Sequence, residues 1–162
     1  MCIRDSEWEA ATTPAEEAGI RVVHLRTGIV ISKRGGVLKK LLPLFKLGLG
    51  GRLGSGRQWQ SWISIDDEVG AIVHLLSAST QGAVNLTAPN PVTNKEFTAA
   101  LGKAVRRPTI FSVPGFAPKL LVGSQFAEEL LLTGQRVLPT KLQESGYEFT
   151  HQTLEEALAA LL

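Results

Sequence analysis

The sequence predicts an α/β fold with a parallel sheet, and three observations predict it. Short β-branched runs with almost no polar break, Ile20–Leu25 above all, suit strands covered on both faces. Segments of helical periodicity alternate with those runs, which is the order that crossovers between parallel strands require. Two capping signals, Thr93-Asn94-Lys95-Glu96 and Thr153-Leu154-Glu155-Glu156, mark helix starts by placing a threonine and a glutamate three apart.

Taken in order, Ser6–Ala18 reads as a helix with Trp8 and Ala11 on one side and acids on the other, ended by Gly19. A strand over Ile20–Leu25 follows. Gly35–Leu47 carries Val37, Leu38, Leu41, Leu42 and Phe45 at helical spacing, with Pro43 expected to kink it. Gly48–Gly56 holds five glycines in nine residues and reads as a loop that bends sharply or lets backbone approach something. Gln58–Ile65 is strand-like. Asp66, Asp67 and Glu68 then open a helix, where acids favour the dipole, with an expected inward stripe of Val69, Ile72, Val73 and Leu76. Gly82–Thr87 is a further strand, and the stiff turn Ala88–Val92 leads to a helix through Val105 with Phe97, Leu101 and Ala104 inward. A strand is expected at Thr109–Val113. From Pro114 the texture changes to short helices punctuated by glycine and proline, ending on a stripe of Leu154, Leu158 and Leu161. Residues 7–113 therefore read as sheet and helices, and 114–162 as a small, mostly helical lobe packed on them.

Composition narrows the function classes. Of 162 residues, 44% are apolar and 20% charged, which suits a globular chain with a real core. No apolar run approaches the ~20 residues needed to span a bilayer, and Met1–Gly19 has no apolar signal region, so a cytoplasmic protein is expected. The single cysteine, Cys2, cannot form an intrachain disulfide. Met1-Cys2-Ile3-Arg4-Asp5-Ser6 is what a common transposon-based sequencing adapter gives when read as codons. Residues 1–6 are accordingly expected to be an artefactual leader, with the gene beginning upstream. Net charge is only +2, yet no acid occurs from Ala18 to Ile65 while nine basic residues do, among them Arg21, Arg26, Arg52 and Arg57. That stretch either attracts an anion, a phosphorylated small molecule in particular, or is a solvated basic face. Nucleic acid is disfavoured, because aliphatic residues space the bases apart rather than gathering them on one polar face with stacking aromatics.

Two motifs are missing. A dinucleotide site needs a glycine fingerprint between a strand and the helix it opens; the one candidate, Gly51-Arg52-Leu53-Gly54-Ser55-Gly56, has the wrong spacing and precedes a strand. Hydride or proton chemistry of the short-chain dehydrogenase type needs a tyrosine with a lysine four residues on. Tyr147 is the only tyrosine, and His151 stands four later. His24, His74 and His151 lack companions at metal spacing and read as structural.

The succession Arg26-Thr27-Gly28-Ile29-Val30, Gly54-Ser55-Gly56-Arg57-Gln58-Trp59-Gln60-Ser61-Trp62-Ile63-Ser64-Ile65-Asp66-Asp67 and Asn85–Thr93 resembles the atypical, epimerase-like extended short-chain dehydrogenases/reductases. The likeness continues through Val113-Pro114-Gly115-Phe116, Glu129–Leu132, Gly134–Pro139 and Gly146–Phe149, which resemble that family's small carboxy-terminal domain of unassigned function. The resemblance implies the C-terminal part of a Rossmann-like doubly wound parallel sheet plus the small lobe. It implies that Thr27, Gly28 and Ile29 line a NADP or NAD site through backbone contacts, and that Arg57, Gln58 and Trp62 face a small-molecule, nucleotide-linked substrate. Relatives of that kind carry histidine where this chain has Ser64, so no direct role is expected there. With fingerprint and Tyr-x-x-x-Lys absent, the chain alone is expected to be inactive, to hold no cofactor tightly, and to aggregate or bind hydrophobic dye. The other function class open to the same residues is a non-catalytic module that senses a nucleotide or a protein partner.

Overall fold

The computed structural model describes residues 3–109, 111–113 and 134–162. The chain opens with α1 (Ile3–Ala10) and α2 (Thr13–Glu17), where one helix was expected. Pro14, at the start of α2, has no amide hydrogen to donate back to the preceding turn, so the first helix stops and a second restarts. Gly19, at φ 77°, then turns the chain in left-handed geometry.

Strands β1 (Val23–Thr27) and β2 (Ile29–Ile31) follow, separated by Gly28. The expected strand lies a few residues late, and its coverage on both faces is not found: Ile20 and Leu25 are exposed. Helix α3 (Gly36–Lys46) runs through Pro43 because Val37, Leu38 and Phe45 anchor it in the core. The glycine-rich stretch contains a short strand, β3 (Gly51–Leu53), rather than loop alone. Gly50 explains part of that composition, since a Cβ there would sit 2.6 Å from the Phe45 ring.

The single strand expected over Gln58–Ile65 is two, β4 (Trp59–Gln60) and β5 (Trp62–Ser64), because the segment changes partner at Ser61, β4 pairing with Val92–Thr93 and β5 with β2. Helix α4 (Ile65–Ser77) starts on a Ser64 cap, the side-chain oxygen accepting from the Asp67 amide. Its orientation overturns the expected stripe except at Ile72, which packs against the core. Val69, Val73 and Leu76 face solvent, Leu76 being 73% exposed, while Asp67, Glu68, Ala71 and Leu75 turn inward. The small Gly70 lets Tyr147 approach within 2.6 Å of where its Cβ would be, and the buried Asp67 fixes the rotation.

Strand β6 (Gly82–Leu86), strand β7 (Val92–Thr93) and helix α5 (Asn94–Ala104) come next, and Thr93 and Glu96 close the expected capping box. Phe97 and Leu101 are buried as expected, whereas Ala104 is exposed. Strand β8 (Phe111–Val113) precedes α6 (Thr140–Glu144) and α7 (Leu154–Leu161), the latter with its capping box from Thr153 and Glu156. Leu154, Leu158 and Leu161 are buried, as their spacing predicts. Met1, Cys2, the helices expected within 114–133 and the motifs at 114–116 and 129–132 lie outside the described residues.

Pairing is parallel between β1 and β6 (Val23 with Gly82), β2 and β5 (Ile29 with Trp62) and β3 and β8 (Gly51 with Phe111). The exception is β4 with β7, which are antiparallel. One core joins Ile31, Leu38, Phe45 and Trp62 to Phe97, Leu101, Leu154 and Leu158, so the last helix is packed into the centre of the chain. A second cluster, Ile63, Leu75, Val84, Leu86 and Leu142, lies between α4 and the β1–β6 pair.

Candidate functional site

Strand β1 alternates apolar and polar residues at its end, and the alternation sends His24 and Arg26 to one face. Helices α1 and α2 meet that face. Arg26 donates from Nε and Nη2 to the two carboxylate oxygens of Glu9, both at 2.8 Å, and this fork holds the Glu9 carboxyl below the usual range. His24 Nε2 lies 2.9 Å from Thr12 Oγ1. These residues form one wall of an open cleft of about 810 Å³ at the end of β1.

The floor is the β1–β2 junction. Gly28 donates to the Leu86 carbonyl at 3.0 Å and Ile29 to the Ser61 carbonyl at 2.8 Å. A Cβ at residue 28 would strike the Ser61 carbonyl oxygen and lie 2.9 Å from Thr87 Cγ2, so glycine is needed for backbone to pass there. The far wall is the segment 135–138, strapped down by side chains. Ser61 Oγ donates to the Gln135 carbonyl at 2.7 Å and accepts from the Val137 amide at 2.9 Å. Asn85 Nδ2 donates to the Leu138 carbonyl at 3.2 Å.

Of the residues expected at a cofactor, Thr27 and Gly28 line this cleft, and Ile29 does not. Ile29 packs on the core, and the amides of both 28 and 29 are committed within the chain, which leaves them no backbone hydrogen to offer a ligand. Those expected at a substrate are dispersed. Arg57 is exposed on the β3–β4 loop, its amide bonded to Ser55 Oγ, and Gln58 donates from Nε2 to the Leu53 carbonyl. Trp62 is 0% exposed, its indole donating to the Asn90 carbonyl, so it supports the site only as core. Glu9, Thr12, His24, Arg26, Ser61, Asn85 and Thr87 were missed. The period-two placement of His24 and Arg26 in an otherwise apolar strand was the signal for one polar face.

Beneath the cleft, Thr27 Oγ1 donates to Glu68 Oε1 at 2.9 Å. Glu68 is 8% exposed, its Oε2 has no hydrogen-bond partner among the described residues, and burial raises its carboxyl above the usual range. Its neighbour Asp67 is instead fully satisfied. One carboxylate oxygen accepts from the Thr150 amide at 2.7 Å and Tyr147 Oη at 3.2 Å, the other from the His151 amide at 3.0 Å and Ser64 Oγ at 2.7 Å. His151 Nδ1 lies 3.1 Å from Ser64 Oγ, which brings a serine, a histidine and an aspartate together. Ser64 is wholly buried and the aspartate meets the serine rather than orienting the imidazole, so the trio is a latch, not a nucleophile. Tyr147, tied to Asp67, has its phenol pushed above the usual range by burial and by that carboxylate. Among the described residues, no group of metal-ligating side chains could hold an ion, and no helix is long and apolar enough to cross a membrane.

Residues 113–161 match the family model described as a domain of unknown function, DUF1731. An epimerase family protein of Mycobacterium bovis is 52% identical over 159 residues, covering 98% of this chain and 52% of its own length. The crystal structure of the human epimerase family protein SDR39U1 with NADPH is 36% identical with a TM-score of 0.82, over 88% of this chain and 48% of that one. That of a nucleoside-diphosphate sugar epimerase from Corynebacterium glutamicum is also 36% identical, with a TM-score of 0.73, over 96% of this chain and 29% of that one. The chain spans about half the length of the curated relatives it matches. By sequence and by fold together, this polypeptide is similar over nearly all its length to part of proteins named as epimerase family proteins, and its residues 113–161 match the DUF1731 model.

Proposed function

We propose that the cleft receives the nicotinamide end of NADP or NAD, and that the chain is the substrate-side part of an epimerase or reductase acting on a nucleotide-linked sugar or similar polar metabolite. The observation that carries this is Gly28, held without room for a side chain on the floor of an open, polar-walled cleft beside Thr27. The residues fit one end of the dinucleotide. A flat ring carrying an amide suits a floor of close-packed backbone flanked by hydroxyl and amide groups, whereas the sequence has no Gly-x-Gly-x-x-Gly helix start to receive the pyrophosphate.

When bound, the nicotinamide supplies or accepts a hydride. This chain's residues orient and enclose it. Ser61 and Asn85 hold 135–138 against one side, and the Arg26–Glu9 fork fixes α1 against the other. No tyrosine–lysine pair stands in the described cleft, so proton handling is assigned to polypeptide beyond this chain. Titration of the full-length polypeptide with NADPH, followed by nucleotide fluorescence, tests the reading. Saturable binding is expected, weakened at least about tenfold by Asn85→Trp, which fills the cleft from β6.

The second reading, binding without turnover, draws on Tyr147, whose hydroxyl is engaged by Asp67 and unsuited to acid–base work. Turnover of any nucleotide sugar by the full-length polypeptide would exclude it.

A further inference from the structure

Burying a carboxyl is costly unless something compensates, and Glu68 has little compensation in view. No cation pairs with it among the described residues, and Oε2 has no hydrogen-bond partner. Among the described residues, its carboxyl accepts a single hydrogen bond, from Thr27 at the edge of the cleft. Packing alone would be served better by an apolar residue at that position of α4, where Ala71 and Leu75 fill the neighbouring inward sites.

We infer that Glu68 is a positioning residue that fixes the Thr27 hydroxyl as a hydrogen-bond acceptor toward the cleft, selecting ligands that present an N–H or O–H donor. A hydroxyl has one proton and two lone pairs. With the proton committed to Glu68 Oε1 at 2.9 Å, only lone pairs are left for a ligand. The protonation state of Glu68 does not reverse this. An ionised carboxylate accepts at Oε1, and a neutral acid that carries its proton on the unpartnered Oε2 still accepts there. A primary carboxamide is therefore favoured over a carboxylate, which would meet lone pairs with lone pairs.

The inference rests on the nicotinamide reading above and deepens it. The test compares binding of NADP and of nicotinic acid adenine dinucleotide phosphate, which has a carboxylate in place of the amide, to the full-length polypeptide by calorimetry. Wild type should prefer the amide by roughly 3- to 10-fold, the worth of one hydrogen bond. Glu68→Leu and Thr27→Val should lose that preference, and Glu68→Gln, whose amide oxygen still accepts, should keep it; a purely structural role would not sort the three variants this way. Retention of the preference in a folded Glu68→Leu protein would overturn the role of Glu68 while leaving the cleft reading intact. If wild type binds neither nucleotide, the cleft reading falls and the inference with it.

Discussion

Two layers of this chain are finished to different degrees. Around α3, α5 and α7 the apolar stripes close on one another: Leu38, Phe97, Leu101, Leu154 and Leu158 are all buried, and both capping boxes belong to helices of this layer. Around β1 and α4 they do not. Leu25 is exposed on β1, Val69, Val73 and Leu76 on α4, and β1 pairs with β6 alone among the described strands. The candidate cleft opens on this second layer. Good periodicity therefore does not itself decide which side of a helix is covered. α4 carries Val69, Val73 and Leu76 on its outer face as well as Ala71 and Leu75 on its inner one, which leaves an exposed apolar face.

The comparison is sharpest at the largest effects. Trp62→Ala, in the closed layer, should cost about 3–5 kcal/mol in chemical denaturation, as large cavities do. Next comes the latch joining the layers. Asp67→Ala strands the Thr150 and His151 amides and should cost about 2–3 kcal/mol by the same measurement. Thr93→Ala, which removes a cap, should cost about 1 kcal/mol. Replacing Val73 and Leu76 by Gln should change the stability of this chain by no more than about 0.5 kcal/mol while lowering hydrophobic-dye binding. A loss comparable to that of Trp62→Ala would show that the open face is covered after all.

The layers should also differ in pH dependence. Glu96 and Glu156 are held low, first by backbone hydrogen bonds with Thr93 and Thr153 respectively. Their contribution is present above the ordinary carboxylate value of 4.5 and is lost as pH falls through their depressed values. Glu68 is raised by burial, so its contribution has the opposite sign, full below 4.5 and lost as pH rises through its elevated value. Glu68→Gln should flatten the alkaline side of the stability profile alone, and Glu96→Gln the acid side alone. Exchange of those two outcomes in a melt series would refute the assignment of the two carboxyls.

The cleft was half legible in advance. Thr27 and Gly28 could be marked only through the resemblance that the Arg26–Val30 stretch carries, and the structure puts them at the cleft. Arg57, Gln58 and Trp62 formed an equally plausible run along the chain, and the fold scatters them to the surface, a loop and the core. Ser61 and Asn85, which hold the far wall, carried no signal because their partners are the backbone of Gln135, Val137 and Leu138, more than fifty residues away.

The amino-acid order by itself determined what depends on neighbours a few residues apart: the alternation of helix and strand, the caps at Thr93 and Thr153, the turn at Gly19, and the buried face of α7. Tertiary structure alone decided the rotation of α4, the break at Ser61 and the company Thr27 keeps. Each of those is settled by partners distant in sequence, Asp67 with Thr150, β4 and β5 with β7 and β2, and Thr27 with Glu68. Local periodicity says that a helix has an apolar side, but the buried polar groups that must find partners choose which side goes in.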